Sequence, residues 1–226
     1  MNSDIARLCL GTAQFGSAYA LNGKSRPQEK EIRGILAYAH KHGIRTLDTA
    51  ASYGAVLQYI VPSEWKIIYK VKARDVQEFR LWSFCDSMLA HEPAAEHLVK
   101  AYKAAGFLGK IGESLYWPSP SAAWHQVIQF PLSIADRRYL PLTQKKNKPE
   151  LYARSVFLQG KLLDMGYSVA DCLGFVLRQP VDHVVVGVNS RAELEEILEA
   201  VDDLPEHMPD IIPPKLTDQQ LDPRIW

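Results

Sequence analysis

Short apolar segments alternate with amphipathic segments along almost the whole chain. Eight apolar segments are rich in Val, Ile, Leu and Tyr and have the length of β-strands. They cover residues 7–10, 44–48, 65–71, 87–91, 109–115, 126–130, 151–157 and 183–188. The pattern therefore predicts eight strands, the first of which ends at Gly11.

The segments between these strands carry helical periodicity. A helix over residues 28–42 has Pro27 for its first turn and Gly43 for a left-handed end. Its apolar face consists of Ile32, Ile35, Leu36 and Ala39. Further helices are predicted over residues 75–86, 94–105 (ending at Gly106), 168–178 and 190–201. The last begins with Ser190 and Glu193 in the spacing of a capping box.

Strand and helix alternation of this kind indicates a parallel sheet with helical crossovers. Eight units predict a single (β/α)8 TIM barrel domain over residues 1–226. Because about 250 residues is usual for this fold, we expect a compact barrel with shortened loops. The shortest unit lies between Tyr53 and Trp65, where segment 54–64 leaves room for a short helix. The proline-rich tail after Leu204 carries little helix or strand pattern.

Composition and charge exclude several classes of function. Twenty-six basic and 26 acidic side chains give a formal net charge of zero, so no nucleic-acid partner is expected. No apolar run is long enough for a membrane span, and the N-terminus does not resemble a secretory signal. Three widely spaced cysteines are interpreted as free thiols, so we expect a cytoplasmic protein.

Polar side chains stand where successive strands of this predicted barrel end. Asp48 ends the second strand, Tyr53 follows it, Lys70 ends the third and His91 ends the fourth. Active sites of such barrels form at the carboxyl ends of the strands. Each residue also has a purely structural interpretation. Asp48 could cap the next turn and Tyr53 could be an ordinary loop aromatic, while Lys70 could be solvated and His91 could start a turn. Their joint order favours a shared site.

Several motifs resemble those of the aldo-keto reductase family. The opening of the chain carries LGTAQFG at residues 10–16 and GIRTLDTAASYG at 43–54. The resemblance continues through YKV at 69–71, LAHEP at 89–93 and GKIGES at 109–114. Later matches are QFPLSIADRR at 129–138 and ARSVFLQG at 153–160. It thus extends over nearly the whole chain.

The resemblance implies a catalytic tetrad of Asp48, Tyr53, Lys70 and His91. The expected activity is reduction of a small-molecule aldehyde or ketone by hydride transfer from NADPH or NADH. Tyr53 would act as the general acid, and a free tyrosine has a pKa near 10. A neighbouring Lys70 ammonium, paired with Asp48, would lower that pKa. Neutral His91 would orient the carbonyl oxygen.

The resemblance also implies a cofactor site and favours NADP(H) over NAD(H). The implied cofactor-binding residues are Ser114, Gln129, Arg154, Gly160, Gly187, Asn189, Ser190 and Arg191. Ser114 and Gln129 would bind the nicotinamide carboxamide, and Arg154 would stack on the nicotinamide ring. The five later residues would bind the pyrophosphate and adenosine end, at a helix N-terminus suited to phosphate. Three positions differ from those of many relatives. Arg154 stands in place of an aromatic residue that stacks on the nicotinamide, Glu193 in place of a basic residue, and Ile197 in place of an asparagine that binds adenine.

Two other interpretations stay open. A nucleotide-sensing or partner-binding barrel with vestigial turnover fits the trimmed second unit and the altered adenosine end. A metal-assisted hydrolase using Asp48 and His91 would leave Tyr53 and Lys70 without a role. His40 and His42 have a spacing that can bind zinc, but no further ligands accompany them, so no metal is expected.

Overall fold

The computed structural model describes residues 2–16, 26–73, 85–118, 124–207 and 210–222. Eight parallel strands in these residues pair in chain order, and the first also pairs with the last, which closes a barrel. The strands are β1 (Leu8–Gly11), β2 (Thr46–Ala50), β3 (Lys66–Val71), β4 (Ser87–Ala90), β5 (Lys110–Ser114), β6 (Val127–Pro131), β7 (Glu150–Arg154) and β8 (His183–Gly187). The predicted (β/α)8 barrel is confirmed.

Helices surround this barrel. They are α1 (Ser3–Arg7), α2 (Glu29–Lys41), α3 (Glu96–Ala104), α4 (Leu140–Thr143), α5 (Lys161–Asp164), α6 (Val169–Leu177), α7 (Arg191–Asp202) and α8 (Asp218–Leu221). Between β2 and β3 the chain forms only short 3₁₀ segments, Ala51–Tyr53, Ala55–Tyr59 and Pro62–Glu64. The expected trimming of this unit is therefore confirmed.

Several predicted strand boundaries differ from the structure, most by one residue, and three have a clear local cause. Arg7 ends α1, which begins after an Asn2 cap, so β1 starts at Leu8. β2 starts at Thr46, two residues after the predicted start at Ile44. The reason is that the Ile44 N–H still donates to the Ala39 carbonyl at the end of α2. The seventh strand ends at Arg154, because Ser155 turns into a left-handed conformation with φ of 61°.

Some predicted helix features also differ. Pro27 precedes the Gln28 cap and so lies outside α2. The capping box at Ser190 is half formed, since the Glu193 carboxylate accepts from Asn189 rather than from Ser190. The tail contains α8, which begins with a capping box of Thr217 and Gln220 and was not predicted from the sequence. The helix predicted over residues 75–86 falls mostly on 74–84, outside the described residues, and 85–86 are not helical.

The barrel has an apolar layer across its interior. Six strands contribute one side chain each to it, namely Cys9, Ile68, Leu89, Val127, Tyr152 and Val185. On β5 the position is Gly112, where a Cβ would lie 1.7 Å from the Val127 carbonyl oxygen. The outer core packs between strands and helices. Along the described chain, no helix has both the length and the apolar character to cross a bilayer.

Candidate active site

A polar layer lies directly above the apolar layer, towards the carboxyl ends of the strands. Side chains of a strand alternate between its two faces, so the residue two positions after each apolar one also points into the barrel. These positions, one for each strand, are Gly11, Asp48, Lys70, His91, Ser114, Gln129, Arg154 and Gly187. The two-residue period thus brings residues from distant parts of the sequence to the same end of the barrel interior.

Asp48 and Lys70 form an ion pair at the centre of this layer. The Lys70 Nζ lies 2.6 Å from the Asp48 Oδ2, and both side chains are buried. Burial by itself lowers the pKa of Lys70, but the Asp48 carboxylate and the Tyr53 hydroxyl outweigh it and leave that pKa raised. Lys70 is therefore a permanent cation in the floor of the site.

Gln129 joins the ion pair to Ser114. Its Nε2 donates to the Asp48 Oδ1 at 2.7 Å, while its Oε1 accepts from Lys70 at 3.3 Å and from the Ser114 hydroxyl at 2.9 Å. Gln129 is fully buried. Buried polar groups rigidify a site when each has a partner, and this amide meets that condition.

Tyr53 lies above Lys70 on the 3₁₀ turn that follows β2. Its ring centroid is 5.1 Å from the Lys70 Nζ, and its hydroxyl interacts with the same ammonium. The turn ends at Gly54, whose φ of 70° favours glycine. Gly16 presses against the turn from the loop after β1, since a Cβ there would lie 1.9 Å from the Tyr53 carbonyl oxygen.

His91 stands beside Tyr53, just beyond the end of β4. The two rings meet edge to face with centroids 6.0 Å apart. Burial, followed by the nearby charges of Lys70, Lys72 and Arg154, lowers the pKa of His91 to about 2. No partner in the described residues reaches its buried Nδ1. The imidazole is therefore neutral and can donate one hydrogen bond.

A cavity of about 350 Å³ opens over this layer, within the range usual for small-molecule sites. The structure brings nine of the twelve residues proposed from the sequence to its wall: Asp48, Tyr53, Lys70, His91, Ser114, Arg154, Gly160, Gly187 and Asn189. Gln129 lies below the wall, and Ser190 and Arg191 do not line it. Asp48, Tyr53, Lys70 and His91 thus share one cavity.

Arg154 is held at the cavity wall by one aromatic ring and two hydrogen bonds. Its guanidinium lies 4.2 Å above the Tyr116 ring, and its Nη1 and Nη2 donate to the Ser155 hydroxyl and the Leu115 carbonyl. Guanidinium groups stack on rings as aromatic side chains do. The position can therefore present a planar group to a ligand, with a positive charge that an aromatic residue would lack.

The N-terminus of α7 differs from an open phosphate site. The Asn189 N–H donates to the Glu193 carboxylate at 2.7 Å, and the Arg191 N–H donates to the Glu31 carboxylate at 2.6 Å. The Ser190 hydroxyl accepts from the Glu193 N–H. The Arg191 guanidinium lies 4.5 Å above the Tyr38 ring, away from the cavity. Side-chain carboxylates thus occupy donors that helix N-termini offer to phosphate.

Several cavity residues were not identified from the sequence. Gln14, in the first motif, lies over Gly187, where a Cβ would come within 2.3 Å of its amide nitrogen. Tyr116 supports Arg154, and Gln159 has a left-handed φ of 58°. Gln14 and Gln159 could have been found from their motifs, whereas Tyr116 follows β5 with no distinctive spacing. In the described chain, no group of three His, Cys, Asp or Glu residues could hold a metal.

Comparison with known proteins gives a family match over part of the chain and a shared fold over most of it. A family model described as "Aldo/keto reductase family" matches residues 7–64, which include Asp48 and Tyr53. The resemblance that the motifs indicate is confirmed over that segment. No curated protein matches the sequence.

Solved structures of aldo-keto reductases share the fold. One assigned to that family from Pseudomonas aeruginosa is 19% identical, with 86% of this chain and 89% of that chain covered and a TM-score of 0.71. One from Klebsiella pneumoniae in complex with NADPH is 18% identical, with 88% and 87% covered and a TM-score of 0.69. A holo form from Bacillus halodurans is 19% identical, with 95% and 90% covered and a TM-score of 0.63.

Proposed function

We propose that this chain is an aldo-keto reductase that reduces an aldehyde or ketone to an alcohol with a nicotinamide dinucleotide. The observation that carries the proposal is the cluster of Asp48, Tyr53, Lys70 and His91 in one cavity at the carboxyl ends of the strands. The match to the aldo/keto reductase family model supports the same class. The small-molecule cavity fits a carbonyl substrate.

The residues at the inner end of the cavity fit a nicotinamide. Ser114 and the planar Arg154 line this end, beside Tyr53 and His91. When bound, the nicotinamide supplies a hydride to the carbonyl carbon. At the α7 end the fit is poorer, because Glu31 and Glu193 hold two of the N–H groups that a phosphate would use.

The four residues divide the remaining chemistry among them. The Tyr53 hydroxyl donates a proton to the carbonyl oxygen as negative charge develops there. The Lys70 cation favours the phenolate that remains, and Asp48 holds that cation in place. His91, neutral because its pKa is about 2, donates a hydrogen bond to the same oxygen and orients the carbonyl. NADPH, the ligand of the Klebsiella neighbour, is the first cofactor to test.

Cofactor titration tests the proposal. We expect NADPH or NADH to change the intrinsic fluorescence of the protein, which has five tryptophans, and calorimetry to give a matching Kd. Oxidation of the bound cofactor by a model aldehyde should follow. If millimolar concentrations of both cofactors give neither signal nor heat, the reductase proposal is wrong.

A nucleotide-sensing or partner-binding barrel is the second candidate. The carboxylates at the α7 N-terminus favour the partner-binding form of this candidate, since they occupy N–H groups that the phosphates of a bound cofactor would need. The two candidates differ in one measurement. A sensor would bind a nucleotide without oxidising it in the presence of any aldehyde.

A further inference from the structure

We propose that Arg154 makes the cavity bind the reduced form of a nicotinamide cofactor more tightly than the oxidised form. The two forms differ by one unit of charge, because the oxidised ring is a pyridinium cation and the reduced ring is neutral. The proposal rests on the function proposed above, since it needs a bound nicotinamide. It goes beyond that function by giving the site a preference between the two redox states of one cofactor.

The catalytic groups limit where the reactive ring can lie. A hydride passes between atoms in contact, and Tyr53 and His91 are the groups proposed to hold the oxygen of the carbonyl. The ring must therefore bind at the inner end of the cavity, against the carbonyl carbon. Arg154 and Ser114 line this same end. The charge of Arg154 thus lies where the ring has to bind.

Three contacts fix the Arg154 guanidinium at this end. Its central carbon lies 4.2 Å from the centre of the Tyr116 ring. Its Nη1 donates to the Ser155 hydroxyl at 3.0 Å, and its Nη2 donates to the Leu115 carbonyl at 2.8 Å. Each of these partners is electrically neutral, so the contacts hold the guanidinium in place without offsetting its charge.

Lys70, the other cation on the cavity wall, differs in this respect. Its Nζ lies 2.6 Å from the Asp48 Oδ2, and at a distance the two charges of such a pair largely cancel. Arg154 forms no ion pair within the part of the chain that the structure describes. Its positive charge therefore acts on the cavity without a paired carboxylate.

His91 reports the sign of the electrostatic potential at the reaction centre. Burial contributes most to the lowering of its pKa, and the charges of Lys70, Lys72 and Arg154 lower it further. A potential that disfavours a proton on this imidazole also disfavours a positive charge on a neighbouring ring. The oxidised cofactor is therefore the form that the site destabilises.

The preference takes effect after hydride transfer. The hydride carries two electrons from the ring to the carbonyl carbon and leaves the ring positively charged, while the oxygen takes its proton from Tyr53. Arg154 then repels this new charge, so the oxidised cofactor leaves the site more readily than the reduced form. A neutral side chain at this position would contribute no such repulsion.

The ratio of two dissociation constants tests the proposal on the full chain. Calorimetry gives the Kd of NADPH and of NADP⁺, with NADH and NAD⁺ as a second pair. The phosphates, riboses and adenine are the same in both forms of a pair, so their contacts cancel in the ratio. We expect the wild type to bind the reduced form on the order of tenfold more tightly, the effect of one partly screened charge.

Two variants of Arg154 separate charge from shape. Arg154→Gln replaces the cation with a neutral planar amide, so the ratio should fall by about tenfold, which corresponds to about 30 mV in the midpoint potential of the bound cofactor. Arg154→Lys keeps the charge but not the planar group, and should keep most of the ratio. If both variants change the ratio equally, the preference comes from packing and the proposal is wrong.

Arg137→Met is the matched control. The Arg137 guanidinium also lies over a ring, that of Phe175, and donates to the carbonyls of Ile134 and Ile211, but it does not line the cavity. We expect the ratio in Arg137→Met to equal that of the wild type. A ratio that falls as far as in Arg154→Gln would show that the effect is not local to the cavity, and would contradict the proposal.

Failure of this proposal differs from failure of the proposed function. Equal Kd values for the two forms in the wild type would overturn the role of Arg154, whether or not a variant folds, while turnover of an aldehyde would still support the reductase. Equal weakening of both forms in Arg154→Gln would make Arg154 a ligand without a redox preference, which also overturns the proposal. A wild type that binds neither form would contradict both proposals.

Discussion

Tyr53 has the position that the proposed acid catalyst requires, half-buried between a fixed cation and the open cavity. Lys70 lies below its ring and His91 beside it, so both neighbours act on the hydroxyl from within the barrel. Neither neighbour competes for the role. Lys70 is committed to Asp48, and His91 holds no exchangeable charge near neutral pH.

The first prediction concerns this acid. Tyr53→Phe keeps the ring and its packing but removes the hydroxyl, so kcat for a nitrobenzaldehyde should fall by about 10²–10⁴-fold. The Kd of the cofactor should stay nearly unchanged. Lys70→Met should cause a similar loss, because it removes the charge that favours the phenolate. A Tyr53→Phe protein that keeps most of its kcat would contradict the mechanism but not the fold.

The second prediction uses the ionisation of His91. Its pKa is about 2 in the folded protein and near 6.5 in an unfolded chain, so the unfolded state binds the proton first. The stability contribution of this group is present above about pH 6.5 and declines as the pH falls towards 2. Urea unfolding should therefore show a larger loss of stability from about pH 7 to pH 5 in the wild type than in His91→Gln. An equal loss would mean that His91 ionises normally.

At the scale of elements, the loop after β1 holds the turn that carries Tyr53. Gly16 has an ordinary extended backbone, so its importance lies in contact rather than in conformation. An added methyl group would meet the backbone of Tyr53, because its carbon would lie 1.9 Å from the carbonyl oxygen and 2.7 Å from the carbonyl carbon. The loop after β1 can thus pack closely against the Tyr53 turn only because Gly16 has no side chain.

The third prediction follows from that contact. Gly16→Ala should displace the Tyr53 turn and lower kcat by an order of magnitude or more, since misplacement of about 1 Å can cost 10²-fold. Gly34→Ala is the control, because Gly34 lies within α2 with open space around it. That change should stabilise the protein by about 0.5–1 kcal/mol and leave kcat unaltered. Steady-state kinetics and urea unfolding measure both.

The fourth prediction concerns the N-terminus of α7. Glu193 lines the cavity and accepts from the Asn189 N–H, so its charge repels an anionic group there. Glu193→Gln should strengthen binding of NADPH relative to NADH on the order of tenfold at low salt, the effect of one partly screened charge. Glu199→Gln, further along α7 and exposed, should leave the Kd ratio unchanged. Equal effects of the two variants would remove Glu193 from the cofactor site.

At the scale of the molecule, the two ends of the barrel differ in what their polar groups can do. At the amino end Glu150 is paired with His183 at 3.2 Å, with Lys110 and with the Tyr152 hydroxyl. The hydrogen bond from His183 and the nearby Lys110 lower the pKa of Glu150 to about 2. The Glu150 carboxylate at this end is thus committed to neighbouring side chains. The polar layer at the other end opens into the cavity.

The fifth prediction concerns Arg7, which ties α1 to the turn between α6 and β8. Its guanidinium donates to the carbonyls of Leu177, Gln179 and Val181. Arg7→Met should lower the free energy of unfolding by about 1–3 kcal/mol. Arg33→Met removes an exposed pair with Glu29 and should cost no more than about 1 kcal/mol. Equal losses in urea unfolding would contradict a structural role for Arg7.

Much of the fold and of the candidate site could be predicted from the local pattern of the chain. Strand and helix alternation determines a parallel sheet, and the period of two along a strand determines which residues share a face. Asp48, Lys70 and His91 could therefore be placed at one mouth, and Tyr53 beside them. The trimmed unit between β2 and β3 was also predictable, because segment 54–64 is too short for a full helix.

Only the tertiary structure decided how these residues are partnered. Gln129 and Asp48 are separated by 81 positions, and no local pattern shows that the amide binds the carboxylate. Glu31 reaches the α7 N-terminus across 160 positions because α2 packs beside α7. The end of β7 was set by the left-handed backbone of Ser155, which its sequence does not indicate. Hydrogen bonds depend on distances of a few tenths of an ångström, and these arise only when the barrel closes.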